Sequence, residues 1–433
     1  MSDAPKRWPA AIALAGSLLG FAFAMSSTLD YARHLDRQVH DIHCSFVPGM
    51  GAEAGADSAC RVAMYSPFAA LFRDSYWGGV PIAIFAVGAF AFFDAFSLYL
   101  LLAGPVGAAP LPRAASAPRR APLFLAITGT TPLFVSILMG TISAVRLGHF
   151  CKTCVGIYVS SILLAIGSVA LYLDAHGRDR DDAEERMRAG AAPGAGPRPE
   201  PAWHAGLWLV ALGACVAAPA LLYVSAVPGY GRYIASCGKL DVPVAAEKPE
   251  IQKAMLHIAP AGAREPVTMI VDPICPTCKA FHQRLVSEGF FDQLDVTLVL
   301  FPLDSDCNWM IDRAVHPGSC QVSKAILCSE HRSLAVLEWS YEHQEQILEQ
   351  AKAAAGPNNV RRMIRDRWPG LDACMDSKET RQRLDKMLRF IVDNHLPIST
   401  PQMFLGATRL CDEDTDMGLA YTLARLAPGL RSK

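Results

Sequence analysis

The hexapeptide His149-Phe150-Cys151-Lys152-Thr153-Cys154 joins a polar turn to an uncharged apolar segment, residues 155–173. That segment has 19 residues, close to the roughly 20 that a helix needs to cross the hydrocarbon core of a bilayer. Two cysteines three positions apart at the start of a helix lie on one face, about a turn apart. The stretch therefore predicts a cysteine pair that can form a disulfide at the surface of a membrane.

A second pair, Cys275-Pro276-Thr277-Cys278, follows the apolar, β-branched run 267–271 and opens a segment with helical spacing. This order places Cys275 at a helix N-terminus, where backbone N–H groups and the helix dipole stabilise its thiolate. Cys278, one turn further, is then the buried resolving thiol. The alternatives are a structural disulfide and half of a zinc site, but zinc needs further ligands and only His282 lies nearby. Two such pairs, one in membrane and one in water, indicate an electron relay.

The composition favours a membrane protein of two or three domains. Of 433 residues, 52% are apolar and 19% are charged, and the mean hydropathy is positive. The net charge of −1 gives no indication of a nucleic-acid partner. Thirteen cysteines are many for a reducing compartment, and because the number is odd at least one is unpaired within the chain. Cys215, alone in an apolar run, is the candidate.

Apolar runs predict five membrane spans. The first run can also be read as a signal peptide cleaved after Ala22-Phe23-Ala24, but it is longer than a signal core, which favours a retained helix. The predicted spans are residues 9–29, 78–104, 122–145, 155–173 and 205–231.

Basic residues predict the orientation of these spans. They concentrate at the N-terminus and in the second and fourth connections, which the positive-inside preference makes cytoplasmic. The first loop, the Cys151 turn and everything after residue 231 then lie outside. A composition rich in Ala, Arg and Pro hints at a bacterium with a GC-rich genome. We therefore expect a multi-pass protein of the bacterial cytoplasmic (inner) membrane with its active sites on the extracytoplasmic side.

The sequence predicts an α-helical membrane bundle, with a four-helix core and a fifth transmembrane helix, followed by an α/β domain with a helical insertion. The expected strands 267–271, 296–301 and 402–406 surround a largely helical stretch, 308–394. A last helix is expected from about residue 415 to 426. The predicted parts are a transmembrane domain at 1–174, a cytoplasmic linker with the fifth helix at 175–231, and an extracytoplasmic domain at 232–433.

Six further cysteines fall in the outer domain, and structural disulfides are their expected role. Six cysteines allow fifteen connectivities, and the sequence does not choose among them. Cys320 and Cys328, if they share one helix, are too far apart to bond each other. The six are Cys237, Cys307, Cys320, Cys328, Cys374 and Cys411.

Two resemblances together cover nearly the whole chain. The outer domain resembles the thioredoxin fold, particularly its extracytoplasmic thiol oxidase branch, in which the pair matching Thr400-Pro401 has a cis peptide bond facing the cysteines. The membrane part resembles the vitamin K epoxide reductase family, in its bacterial form fused to a thioredoxin-like domain. The matching elements are Cys44 and Cys60, separated by more residues than is usual in the family, Ser66-Pro67, Gly79-Val80-Pro81 and Cys151-Lys152-Thr153-Cys154.

The resemblance implies a thiol oxidase that passes electrons to a quinone, ubiquinone or menaquinone. Clients would be cysteine-containing extracytoplasmic proteins, and the protein would also contact membrane lipid. Cys275 would form the mixed disulfide with a client, and Cys154 would hand electrons to the quinone. Apart from the resemblance, His149 is a candidate quinone contact because it lies beside the membrane pair, although histidines are more often structural. The implied catalytic residues are Cys44, Cys60, Cys151, Cys154, Cys275, Cys278 and Pro401.

Two rival functions remain open at this point. The same parts can run in reverse, as a reductase or isomerase that delivers electrons outward, because sequence does not give reduction potentials. A membrane-anchored metal chaperone would hold a soft ion at its Cys-x-x-Cys pairs and would contain stoichiometric metal. The proline of Thr400-Pro401 argues against the chaperone, since in the thioredoxin family it guards the pair from metals. No metal cluster is predicted.

Overall fold

The computed structural model describes residues 6–35, 42–50, 52–53, 59–103, 120–190, 203–226, 234, 236–411 and 417–431. Contacts divide the chain into two compact units. The first comprises residues 1–71 and 80–228, and the second comprises residues 72–79 and 229–433.

The first unit is built from helices that are long and apolar enough to cross a membrane. Five such segments occur among its described residues, which confirms the five predicted spans. Two short antiparallel hairpins, β1 (Ile42–His43) with β2 (Ala52–Glu53) and β3 (Ala70–Leu71) with β4 (Val80–Pro81), lie between the first two spans. The helices are α1 (Trp8–His34), α2 (Ala59–Tyr65), α3 (Ile82–Ala103), α4 (Ala121–Gly129), α5 (Thr131–Ile142) with a π-helical turn at Ser143–Leu147, α6 (Lys152–Arg188) and α7 (Trp203–Ala226).

Two spans differ in detail from the expectation. The third is interrupted between α4 and α5 because Pro132 has no N–H to continue the helical hydrogen bonds. Helix α6 continues to Arg188, well beyond the expected end of the fourth span at Asp174. Its charged extension contains pairs one turn apart, such as Arg178 with Asp174 at 2.9 Å, which support a solvated helix.

Small residues bring the helices of the first unit together. A Cβ atom on Gly16 of α1 would come within 2.6 Å of the backbone nitrogen of Leu164 in α6. A glycine of α6 also lies against the backbone of α1, since Gly167 faces Ala13. Inside a bilayer, such residues permit the close backbone approach on which helix association depends.

The second unit is organised around a mixed five-stranded sheet. Its central strand β6 has its last five residues buried, and the α9 crossover connects it to the parallel strand β7. The other pairings are antiparallel, so the unit has the thioredoxin arrangement expected from the sequence. The strand order is β5 (Leu256–Ile258), β7 (Leu294–Leu300), β6 (Glu265–Val271), β8 (Gln402–Leu405) and β9 (Thr408–Arg409).

Helices supply the remaining layers of this unit. Six of them form the insertion between β7 and β8, as predicted, and their apolar faces join the core of the sheet. The last helix begins at Leu419, and residues 412–416, where an earlier start was expected, lie outside the described residues. The helices are α8 (Pro249–Gln252), α9 (Pro276–Ser287), α10 (Ser319–Cys328), α11 (Ser333–Glu342), α12 (Gln344–Lys352), α13 (Gly356–Arg367), α14 (Asp372–Met375), α15 (Lys378–Asp393) and α16 (Leu419–Leu426).

All six additional cysteines of this unit are disulfide-bonded. The pairs are Cys237–Cys411, Cys307–Cys320 and Cys328–Cys374. The expectation that Cys320 and Cys328 do not bond each other is confirmed, and Cys215 is a free cysteine, as predicted.

Candidate active site

Three cysteines of the first unit form a buried cluster. Cys44, which follows strand β1, is disulfide-bonded to Cys60 in helix α2. The Sγ of Cys151 lies 3.0 Å from the Sγ of Cys60. The three side chains are almost fully buried, and Cys154 packs against them. A thiol in contact with a disulfide sulfur is the arrangement from which thiol–disulfide exchange proceeds.

Cys151 owes its place to the start of helix α6. It is the N-cap residue, with extended backbone angles, and its sulfur accepts a hydrogen bond from the backbone N–H of Cys154 at 3.4 Å. A hydrogen bond from the Cys154 thiol is the main cause that lowers the pKa of Cys151, against the opposing effect of burial, with help from backbone N–H groups. Cys151 is thus favoured as the thiolate, the reactive form of the pair.

A cavity adjoins this cluster and includes Cys60, Cys151 and Cys154 in its wall. Much of the remaining wall is apolar, with Met139 and Ile142 among its residues. Polar groups also line it, including the side chains of Asp30, His43, Ser143 and Tyr158.

His149 is not brought to this cavity. It is exposed and is absent from the cavity wall, because Gly148 adopts a left-handed conformation with φ of 68° that directs the chain away. Sequence reasoning chose His149 for its nearness to Cys151 along the chain. It missed Tyr158, which lies one turn beyond Cys154. It also missed the pair of Asp30 and His43, for which the sequence shows only an acid near the end of a span and a histidine next to Cys44.

In the second unit, Cys275 and Cys278 open helix α9 as expected. Cys275 is the N-cap residue with extended backbone angles, and Pro276 occupies the first helical position. Both cysteines are free and buried. The Thr277 hydroxyl lies 2.8 Å from the Sγ of Cys275, and the Cys275 thiol faces the carbonyl oxygen of Thr400 at 3.7 Å. The Thr400–Pro401 peptide bond is cis, as the resemblance implied.

These contacts give the two thiols opposite acidities. A hydrogen bond from the Cys278 thiol, with a further one from the Thr277 hydroxyl, outweighs burial and lowers the pKa of Cys275 to about 5. Burial, followed by the hydrogen bond and charge of Cys275, raises the pKa of Cys278 well above its ordinary value. Cys275 is therefore favoured as the thiolate, the reactive form of a cysteine, and Cys278 is favoured as the buried thiol.

Replacing Thr277 by valine is expected to raise the pKa of Cys275 by about 1–2 units, because a hydrogen bond to a charged group is worth roughly 1.5–3 kcal/mol. The thiolate forms as the pH rises through the pKa, so the midpoint of Cys275 alkylation should move from about pH 5 toward neutrality. Alkylation rates followed by mass spectrometry measure this midpoint. Thr408→Val in strand β9 makes the same change away from the sulfurs and should leave it in place.

A buried carboxylate supports the loop that carries Cys275. Asp272, fully buried, accepts hydrogen bonds from the backbone N–H groups of Ile274 and Leu303 at 2.8 and 2.7 Å. It also accepts bonds from the Ser319 hydroxyl at 2.8 Å and from Nδ1 of His316 at 2.9 Å. Sequence reasoning identified Asp272 only as a residue that ends a strand, because three of its four partners lie more than thirty residues away in the chain.

The fold and the two cysteine sites define a membrane thiol–disulfide oxidoreductase. Residues 11–169 match the model of the vitamin K epoxide reductase family, and this part of the chain is therefore similar to that family. The second unit has the mixed sheet of a thioredoxin-like fold. No curated protein matches the chain by sequence. Among the described residues, no group of three or more His, Cys, Asp or Glu side chains is placed to hold a metal ion.

Solved structures similar to the chain are thioredoxin-like proteins. The catalytic domain of ScsC from Proteus mirabilis is 19% identical, with 40% of this chain and 90% of that chain covered and a TM-score of 0.26. ScsC from the same organism in a transitional conformation is 16% identical, with 52% and 100% covered and a TM-score of 0.29. A thioredoxin-like oxidoreductase from Silicibacter pomeroyi is 15% identical, with 42% and 99% covered and a TM-score of 0.28.

Proposed function

We propose that this protein oxidises cysteines of extracytoplasmic proteins to disulfides and passes the electrons to a membrane quinone. The observation that carries the proposal is the 3.0 Å contact between the Sγ atoms of Cys60 and Cys151, in a cluster that forms part of the wall of a cavity shared with Cys154. One sulfur cluster thus connects a loop disulfide to a cysteine pair that lines a cavity with a largely apolar wall.

The proposed relay consists of three exchanges. A client thiolate attacks Cys275 of the Cys275–Cys278 disulfide, and Cys278 then resolves the mixed disulfide. Cys44 reoxidises that pair, and Cys60 exchanges with Cys151. Each exchange is an attack of a thiolate on a sulfur. Because both pairs lie on one chain, their effective concentration is high without a separate soluble carrier.

A quinone fits the residues of the cavity. Its ring matches apolar wall residues such as Met139 and Ile142, and its carbonyl oxygens match the Tyr158 hydroxyl as a donor. A bound quinone would supply an acceptor for two electrons and two protons. Cys154 and Tyr158 would hold it, and His149, the contact expected from the sequence, is left out of the proposal. The protein itself would place Cys154 in the largely apolar wall of the cavity, next to the quinone.

The acidity of Cys275 supports the oxidising direction. A pKa of about 5 keeps Cys275 ionised at neutral pH, which stabilises the reduced pair and makes Cys275 a good leaving group from a mixed disulfide. Because this pKa lies about two units below pH 7, ionisation of Cys275 stabilises the reduced pair by about 2.7 kcal/mol at that pH. This stabilisation raises the reduction potential of the pair by about 60 mV, which makes it more oxidising. Three further disulfides in the same unit support an oxidising compartment, outside the bacterial inner membrane.

The parts of the relay follow the predicted division of the chain. We assign the quinone reaction to residues 1–174, the linker and fifth span to residues 175–231, and the client reaction to residues 232–433.

The test mixes the purified full chain with a reduced, unfolded client and either ubiquinone or menaquinone analogues in the absence of oxygen. Quinol and client disulfides should appear in equal amounts. Cys215→Ser, which changes a cysteine outside the pairs, should retain the wild-type rate. Client disulfides that reshuffle while the quinone stays oxidised would contradict the oxidase and favour an isomerase or reductase.

A further inference from the structure

A carboxylate and an imidazole form a close pair in the first unit. Asp30 lies near the end of helix α1 and is 5% exposed, and His43 lies in strand β1 directly before Cys44. Nδ1 of His43 is 2.7 Å from Oδ1 of Asp30, and the backbone N–H of His43 donates to Oδ2 at 3.1 Å. One carboxylate therefore fixes both the ring and the backbone of His43.

This pair belongs to the redox cavity. Asp30 and His43 line the same cavity as Cys60, Cys151 and Cys154. The Thr153 hydroxyl, inside the Cys-x-x-Cys pair, donates to the backbone carbonyl of His43 at 3.2 Å. His43 is thus the direct neighbour in sequence of Cys44 in the loop disulfide, and a hydrogen bond from Thr153 connects it to the Cys151–Cys154 pair.

The contact with Asp30 determines which ring nitrogen can act. A carboxylate accepts hydrogen bonds, so Nδ1 of His43 carries the proton that is donated to Oδ1. In the neutral imidazole, Nε2 is then the unprotonated nitrogen. A base whose other nitrogen is held by a carboxylate is a recurring arrangement for moving a proton. An acid within a membrane span is also a functional candidate by default.

The proposed reaction needs a group of this kind. Oxidation of the Cys151 and Cys154 thiols breaks two S–H bonds and forms one S–S bond. Two electrons and two protons leave the pair, and the quinone takes up both to form the two O–H bonds of the quinol. The protons must cross an apolar cavity, so a nearby side chain that accepts and returns a proton is required.

We propose that His43 is this proton-transfer residue: its Nε2 accepts a thiol proton from the Cys151–Cys154 pair and returns it to the reduced product. Asp30 is the positioning residue that sets the tautomer. The inference rests on the proposed function, which supplies the quinone as oxidant.

Other titratable groups also line this cavity. Those among the described residues are Asp30 and Tyr31 from α1, and Cys151, Cys154 and Tyr158 at the start of α6. Among the described residues that line the cavity, His43 carries the only imidazole, a side chain whose second ring nitrogen can accept a proton while the first is held by Asp30.

His43→Asn separates the proton-transfer role from a structural one. The Asn amide can keep the hydrogen bond to Asp30 but cannot carry a proton. We expect single-turnover quinone reduction by the prereduced chain to fall by roughly 100-fold or more. Added imidazole should restore part of the rate, and binding of a quinone analogue should change little. Asp30→Asn should also lower the rate, because it removes the carboxylate that sets the tautomer of His43.

A second readout needs no quinone. In the reduced chain, Cys154 should be alkylated faster in the wild type than in His43→Asn at the same pH, because His43 accepts the thiol proton. His395→Asn is the matched control, since Nδ1 of His395 also pairs with a carboxylate, that of Asp241, at 3.0 Å, but on an exposed surface. It should leave both readouts unchanged.

The outcomes separate this inference from the function on which it rests. If the wild-type chain does not reduce quinone, the proposed function fails. If the wild type reduces quinone and His43→Asn keeps a rate within about threefold with an unchanged alkylation profile, the role of His43 is overturned. Rescue by added imidazole keeps the test decisive if His43→Asn folds poorly, because imidazole would not restore the rate of a misfolded chain.

Discussion

Replacing Cys154 by serine is expected to abolish electron transfer to quinone, to below roughly a thousandth of the wild-type rate, because the sulfur that faces the cavity is lost. Oxidation of clients should then stop after the oxidised pairs already present are consumed. Quinol formation and client disulfides, measured together under anaerobic conditions, test this expectation.

Combining Cys154→Ser with Cys44→Ser should trap the exchange itself. The remaining thiols of Cys60 and Cys151 have Sγ atoms 3.0 Å apart and no neighbour to resolve them, so mild oxidation should join them almost completely. Mass spectrometry of peptides from a nonreducing digest identifies this bond. The matched variant Cys60→Ser with Cys154→Ser leaves Cys44 instead. If Cys44 joined Cys151 as readily as Cys60 does, the assigned order of exchange would be wrong.

The parts of the site that sequence predicted are those governed by local interactions. Apolar runs of sufficient length gave the spans, and the position of Cys151 and Cys275 before a helix gave their roles as N-cap residues. In both cases the cysteine has extended backbone angles and the following residues begin the helix. The position of each cysteine before a helix can be predicted from a few residues, whereas its lowered pKa comes mainly from the second cysteine of the pair.

The parts that sequence did not predict depend on contacts across long separations. His43 and Asp30 are thirteen residues apart in the chain and meet because strand β1 lies against the end of α1. Likewise, the disulfide Cys237–Cys411 joins residues 174 positions apart. The quinone contact expected of His149 stays a prediction, and in the structure this residue is exposed and outside the cavity wall.

The two cysteine pairs share one design and differ in their surroundings. In each pair, the first cysteine is the N-cap residue of a helix and has the lower pKa. The main cause that lowers this pKa is a hydrogen bond from the thiol of the second cysteine. Cys275 is completed by hydroxyl and carbonyl groups next to a cis-proline, an arrangement suited to a peptide client. Cys151 faces another disulfide and an apolar cavity, which suits exchange and a small ligand.

Replacing Asp272 by asparagine is expected to destabilise the second unit by about 3–5 kcal/mol, the range for breaking a buried charged pair by removing one partner. The amide nitrogen would face donors that now bond to Oδ2, the N–H of Leu303 and Nδ1 of His316. At least one donor would remain buried without an acceptor. Denaturant unfolding of the full chain, followed by alkylation of the buried Cys278, reports on this unit alone. Asp295→Asn, which removes an exposed pairing with His257, is the matched control and should change stability by less than about 1 kcal/mol.

The same carboxylate should make the stability of the second unit depend on pH. Burial disfavours the charged form of His316, but the hydrogen bond and charge of Asp272, with further charge from Cys275 and Asp304, raise its pKa above the ordinary 6.5. A raised folded-state pKa means that the stabilisation is complete below about pH 6.5 and is lost as the pH rises through the folded value. Because the Cys275 thiolate exists only in the reduced pair, this loss should occur at higher pH in the reduced protein than in the oxidised one. His316→Gln should remove the dependence in both states, and an unchanged pH profile in that variant would show that another group controls it.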